Sequence, residues 1–260
     1  MTELNDQILH YEVGGAGQLV VLLHGYLSGL RYWDSLRGDL QARHKVIAID
    51  LLGFGRSPKP SHVQYDYDDQ IAWIQRTLDY IGVTEPVIFV GHSMGALIAL
   101  RYASKLPDQV ARLILMNPPF LASINEARRE LSGTNLLYRI SLYGQMHRVI
   151  FPIMRNPIMK CLMHLIAPPV YAGMENYIFS SSARSRNRSL RHLIENQRSM
   201  MDIACVTLPI TLIQGLKERP AYLANVRLVG DLPHLNVVHA NTGHHTVLEM
   251  PELAMRLMNV

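Results

Sequence analysis

The chain has 260 residues, 48% of them hydrophobic, enough apolar mass for one packed domain or for a core carrying an inserted subdomain. Its net charge of +4 comes without aromatics interleaved in the basic run, without zinc-ligand spacing and without a phosphate loop, so nothing marks a nucleic-acid module or a metal site. Cys161 and Cys205 are too few for a disulfide framework and read as free thiols. No run reaches the roughly 18 apolar residues of a membrane span, and Met1 to Asp6 carry neither a basic nor an apolar leader, so the expected location is the cytoplasm.

In chain order, residues 8–13 alternate as an edge strand ended by Gly14-Gly15-Ala16-Gly17. Residues 19–23 form a continuous apolar run, the pattern of a parallel strand covered on both faces, and lead directly into His24-Gly25-Tyr26-Leu27. A glycine there lets the chain turn with its N–H groups facing a pocket. Residues 32–42 place Trp33, Leu36 and Leu40 on one helical face. The next strand, 45–50, ends at Asp50 before the glycine-punctuated loop 51–58; Asp50 is expected to tie that turn through backbone N–H groups. An amphipathic helix over 66–82 follows, closed by Gly82.

Val87 to Val90 then form a short strand, Gly91-His92-Ser93-Met94-Gly95 turns it sharply, and Ala96 to Leu100 open an apolar helix. A serine flanked by glycines at such a corner is held in a strained turn with Oγ projecting above the sheet edge, because a Cβ at either glycine would collide with the strand or the returning helix. Ser93 is therefore the candidate nucleophile. A further strand over 110–116 ends at Asn117-Pro118-Pro119, and the alternation of strands and helices predicts an α/β fold with a doubly wound, mostly parallel sheet. Ligands of such sheets bind beyond the carboxyl ends of the strands.

Residues 118–206 break the pattern. They show helical periodicity, breaks at Gly133, Gly144, Pro152, Pro157 and Pro168-Pro169, and no buried strand, which predicts a helical cap inserted into a core of residues 1–117 and 207–260. The insertion holds seven of the 13 methionines (Met146, Met154, Met159, Met163, Met174, Met200, Met201), read as adaptable packing or as an apolar lid over the nucleophile. It also carries 11 Lys+Arg against 5 Asp+Glu, including Arg184, Arg186, Arg188, Arg191 and Arg198. A solvated helix face is the plain reading of this charge; an anionic substrate or weak contact with an anionic membrane surface is the sharper one. Strands over 209–215 and 235–240, a short helix over 221–229 and a final helix from Met250-Pro251 complete the chain.

Four segments together resemble the α/β-hydrolase superfamily, most closely its capped serine-hydrolase branch, proline-iminopeptidase- and haloperoxidase-like: His24-Gly25, the stretch from Asp50 to Ser57, Gly91 to Gly95, and Gly243-His244 followed by Glu249-Met250-Pro251-Glu252. The likeness covers residues 8–117 and 207–260. It implies a Ser–acid–His triad with Ser93 as nucleophile and His244 as base, in preference to His245 or His24. The oxyanion hole would use the backbone N–H groups of Tyr26 and Met94, and His24, Gly25, Leu27 and His92 would surround the substrate. His24 would also support its loop, and His92 would point into the protein. Where the family usually places an aspartate after the penultimate strand, Gly215-Leu216-Lys217-Glu218 offers Glu218, with Asp231 and Asp202 as alternatives. A second position that some members use holds Asn117, which carries no charge.

The implied function is a serine hydrolase, first of all a carboxylesterase on small to medium acyl esters, with no cofactor. C–C bond, lactone or amide hydrolysis runs on the same scaffold. Haloalkane dehalogenation is disfavoured, since it needs a carboxylate where Ser93 stands. If no acid supports His244, the chain becomes a ligand-binding homologue with little turnover.

Overall fold

The computed structural model describes residues 8–132, 156 and 180–258. Seven strands form one sheet in the order β1-β3-β2-β4-β5-β6-β7: β1 (Tyr11–Gly14), β2 (Leu19–Leu23), β3 (Lys45–Ile49), β4 (Val87–His92), β5 (Val110–Met116), β6 (Ile210–Gly215) and β7 (Leu235–Ala240). Only β1 runs antiparallel, pairing Tyr11 with Ile49; every other neighbouring pair is parallel. The expected edge strand is thus present but begins three residues later than its alternation suggested. Ile8 and Leu9 are instead buried ahead of it, the Leu9 N–H bonding Thr77 Oγ1.

Period-two burial explains the apolar runs. Along β2, Val21 and Leu23 enter one core while Val20 and Leu22 enter the other, so neither face of the strand meets water. The first core is covered by α2 (Tyr67–Ile81) and α3 (Met94–Lys105), the second by α1 (Asp34–Gln41) and α9 (Pro251–Met258). Between α3 and α9 lie α4 (Ile124–Ser132), α5 (Ala183–Ser189), α6 (Ser199–Cys205), α7 (Pro220–Val229) and α8 (Thr246–Glu249).

Local chemistry sets the ends. The Asp66 side chain accepts from the Asp69 N–H at 2.9 Å and caps α2, which Gly82 closes in a left-handed conformation (φ 78°). The helix expected over 32–42 is preceded by a 3-10 turn, Leu30–Trp33, before α1 begins at Asp34. The final helix is split: α8 stops at Glu249 and α9 starts at Pro251, where a proline is tolerated in the first turn.

The regular elements among the described residues of the 118–206 stretch are helical, with one π-helical segment over Leu190–Glu195. Its five early methionines, its glycine and proline breaks and Cys161 lie outside the described residues. Met200 packs against the core and Met201 is exposed. The arginine run is corrected in part. Arg184, Arg191 and Arg198 are exposed, but Arg186 is buried with Nη1 on the Ser181 carbonyl at 2.7 Å, and Arg188 is half-buried on the Val63 carbonyl.

The chain leaves β2 toward β3 and then crosses back to β4 on the other side of β2. That reversal places the loop after β2 and the turn after β4 side by side at the carboxyl edge, where open α/β sheets hold their ligands.

Candidate active site

The turn after β4 is built by steric exclusion. A Cβ on Gly91 would lie 2.5 Å from the Gly95 carbonyl oxygen, and one on Gly95 would lie 2.2 Å from that of Leu23. Between them Ser93 takes φ 52° and ψ −117°, a strained conformation for a residue with a side chain, while its N–H still bonds the Met116 carbonyl at 2.9 Å. Met94 opens α3, so its N–H is one of the first-turn donors with no partner inside the helix.

His244, in the loop after β7, places Nε2 2.9 Å from Ser93 Oγ. Its Nδ1 lies 2.5 Å from Oε1 of Glu218, whose side chain is almost wholly buried. With Nδ1 protonated toward the carboxylate, Nε2 presents its lone pair to the serine hydroxyl. The structure therefore brings Ser93, His244 and Glu218 into one hydrogen-bonded line. Arg219, next to Glu218, turns away to the carbonyl of Glu130 (2.5 Å) and its carboxylate (3.5 Å). Asp202 is engaged by Arg101 at 2.6 Å, and neither it nor Asp231 lines the cavity above Ser93.

That cavity has a volume of about 470 Å³. Gly25, Tyr26, Leu27 and His92 line it beside Ser93 and His244, and Leu27 adopts a left-handed backbone (φ 56°) as the loop after β2 passes the turn. Leu131 and Ile194 supply apolar wall from α4 and the π-helical segment, with Tyr222 from α7. These three residues carry no motif, and no sequence signal would have pointed to them. None of the five arginines of the basic run lines the cavity.

His24 is corrected: it is not in the cavity wall. Its ring is fully buried, Nδ1–H donates to the Gly25 carbonyl at 2.7 Å and Nε2 accepts from the Leu51 N–H at 3.0 Å. Both nitrogens are committed to neutral-ring bonds, and burial lowers the pKa accordingly. It supports the loop and has no free nitrogen for a substrate. Asp50 ties the same corner, accepting from the N–H groups of Leu30 (2.7 Å) and Arg56 (2.8 Å) and pairing with His10 Nδ1 at 2.8 Å. Burial opposes its charge, but these hydrogen bonds outweigh burial and hold its carboxyl below the ordinary value.

His92 also does more than flank a pocket. Its Nε2–H donates to the His244 carbonyl at 2.7 Å and its ring stacks on Tyr32 with centroids 4.3 Å apart, so it fixes the backbone that carries His244. Burial, then the neighbouring histidines, drives its pKa well down. His245 packs against His92 and is likewise lowered by burial, to about 3, so neither neighbour competes with His244 as a base near neutrality.

A mostly parallel seven-stranded sheet with a serine on a strained strand–helix turn at its reversal point defines the α/β-hydrolase class, and the chain belongs to that family. Residues 18–136 match the family described as alpha/beta hydrolase fold. An uncharacterized protein of Mycobacterium bovis is 36% identical over 238 residues, covering 85% of this chain and 69% of that one. A cis-3-alkyl-4-alkyloxetan-2-one decarboxylase of Shewanella oneidensis is 28% identical over 176 residues, 64% of this chain and 55% of the relative. The chain spans about half, or less, of the length of several curated relatives it matches. Among solved structures, a hydrolase from Pseudomonas aeruginosa superposes with a TM-score of 0.76 at 18% identity, covering 96% of this chain and 92% of its own, a likeness of fold alone. Among the described residues no helix is long and apolar enough to cross a membrane, and no cluster of His, Cys, Asp or Glu is arranged to hold a metal ion.

Proposed function

We propose that this chain is a serine hydrolase acting on carboxylic esters of small to medium acyl groups. The observation that carries the reading is the line Glu218–His244–Ser93, with separations of 2.5 and 2.9 Å. His244 Nε2 takes the Ser93 hydroxyl proton as Oγ attacks the ester carbonyl; Glu218 keeps Nδ1–H in place and stabilises the imidazolium. The N–H groups of Tyr26 and Met94 receive the developing oxyanion, the tetrahedral adduct expels the alcohol with the proton from His244, and a water deprotonated by His244 then hydrolyses the acyl-enzyme.

Residues 118–206 form the cap in this reading. Leu131 and Ile194 favour an apolar acyl group, and the absence of the basic run from the cavity wall argues against an anionic substrate met through those arginines. A binding protein without turnover would be favoured by a histidine lacking its acid; a buried carboxylate at hydrogen-bond distance favours catalysis instead. Intact mass after treatment with a small fluorophosphonate tests the assignment. One adduct on the wild type and none on Ser93→Ala is expected, followed by turnover across esters of increasing chain length. No adduct on the wild type would overturn the reading.

A further inference from the structure

We infer that Asn117 is a positioning residue for the proposed triad acid: its side-chain amide clamps Glu218 to the loop that carries His244. The inference rests on the serine-hydrolase reading and extends it to a residue without charge and without access to the substrate cavity.

Asn117 follows β5 directly and is fully buried. Its Nδ2 donates both to Glu218 Oε1 at 3.2 Å and to the Gly243 carbonyl at 3.1 Å. One amide group thus joins the loop after β6, bearing the carboxylate, to the loop after β7, bearing the imidazole. Its orientation is fixed by its neighbours. Thr246 Oγ1 donates to Asn117 Oδ1 at 2.8 Å, and with that proton committed, Thr242 Oγ1 must donate to Thr246 Oγ1 at 2.7 Å. A flipped amide would set Oδ1 against two acceptors, the Glu218 carboxylate and the Gly243 carbonyl, so only one orientation satisfies the network.

The backbone is shaped to the same end. Asn117 takes φ 48°, a left-handed conformation that asparagine tolerates better than most residues with a side chain, and its N–H remains in the sheet ladder on the Ile213 carbonyl at 2.8 Å. A Cβ on Gly215 would lie 2.9 Å from Asn117 Nδ2 and 2.2 Å from the Gly243 carbonyl oxygen, so the bare backbone at the end of β6 leaves room for the clamp. Oε1 of Glu218 therefore meets two donors, His244 Nδ1–H and Asn117 Nδ2–H, which fix where the carboxylate points.

The test is a double-mutant cycle on ester turnover with Asn117→Ala, Glu218→Ala and the pair. Removing a hydrogen bond to a charged group should lower kcat by about tenfold to a hundredfold. KM should stay within about twofold of wild type, because the loss falls on the transition state rather than on substrate binding. In the Glu218→Ala background the second substitution should change kcat by less than about twofold, since its effect runs through the carboxylate. Should Asn117→Ala fail to fold, Thr246→Val, which removes the donor that orients the amide, should lower kcat in the same direction. A wild-type kcat for a folded Asn117 variant, or an equal loss with and without Glu218, overturns the inference while leaving the triad reading intact. Wild-type turnover by Glu218→Ala overturns both.

Discussion

Two carboxylate–histidine pairs stand at the carboxyl edge of this sheet, and they use the same parts to opposite ends. In one, Asp50 meets His10 at 2.8 Å and gives its remaining acceptor capacity to the backbone N–H groups of Leu30 and Arg56, while nearby His24 has both ring nitrogens bonded to backbone. In the other, Glu218 holds one nitrogen of His244 and leaves the second facing a serine hydroxyl. Chemistry requires a nitrogen without a backbone partner beside a group it can deprotonate. Residue type does not separate the pairs; the serine hydroxyl 2.9 Å from the second ring nitrogen of His244 does.

The sharpest break in that comparison is Ser93→Ala, expected to lower ester turnover by at least about 10⁴-fold with an unchanged thermal midpoint. Glu218→Ala should cost about 10³- to 10⁴-fold by mis-setting the His244 tautomer, measured as kcat/KM on the same ester. By contrast, Asp50→Ala strands the buried N–H of Leu30 and the part-buried N–H of Arg56 and should lower unfolding free energy by about 1–3 kcal/mol in urea titration, with kcat per folded molecule retained. A loss of kcat as large as that of Glu218→Ala would erase the distinction between the two pairs.

The buried histidines give the smallest effect and a definite sign. His24, His92 and His245 have native pKa values below that of the unfolded chain, the last at about 3. Below about pH 6.5 the unfolded chain therefore binds protons that the native one refuses, so stability is full above that pH and falls as pH drops toward the native values. Each histidine contributes a slope of at most about 1.4 kcal/mol per pH unit. His245→Asn should flatten the acid side of a stability–pH curve by one such share; an unchanged slope would count against its buried, neutral state.

Much of the fold was legible because each signal was local. The apolar run 19–23 and the strand over 110–116, with Leu113 to Met116 buried, marked parallel strands through burial on both faces, and Asp66 and Gly82 marked the ends of α2 within a residue. The turn around Ser93 was readable in part for the same reason: the steric need for Gly91 arises against the helix that follows its strand at once, whereas that for Gly95 arises against the Leu23 carbonyl at the end of β2. Chain-local pattern marked Ser93 as the candidate nucleophile and placed His244 and His245 after the last strand; the preference for His244 came with the family resemblance.

Tertiary structure alone decided what those residues meet. Glu218 is 26 residues from His244 and Ser93 is 151, and their separations follow from the register of β4, β5, β6 and β7 rather than from any motif. Asn117, judged from sequence only as a position without charge, became a clamp because parallel strands bring three loops to one edge. His24, placed by sequence beside a substrate, was withdrawn from it by the Leu51 N–H. Sequence sets the donors and acceptors that a residue carries; the fold sets which remain for chemistry once buried backbone groups have been satisfied.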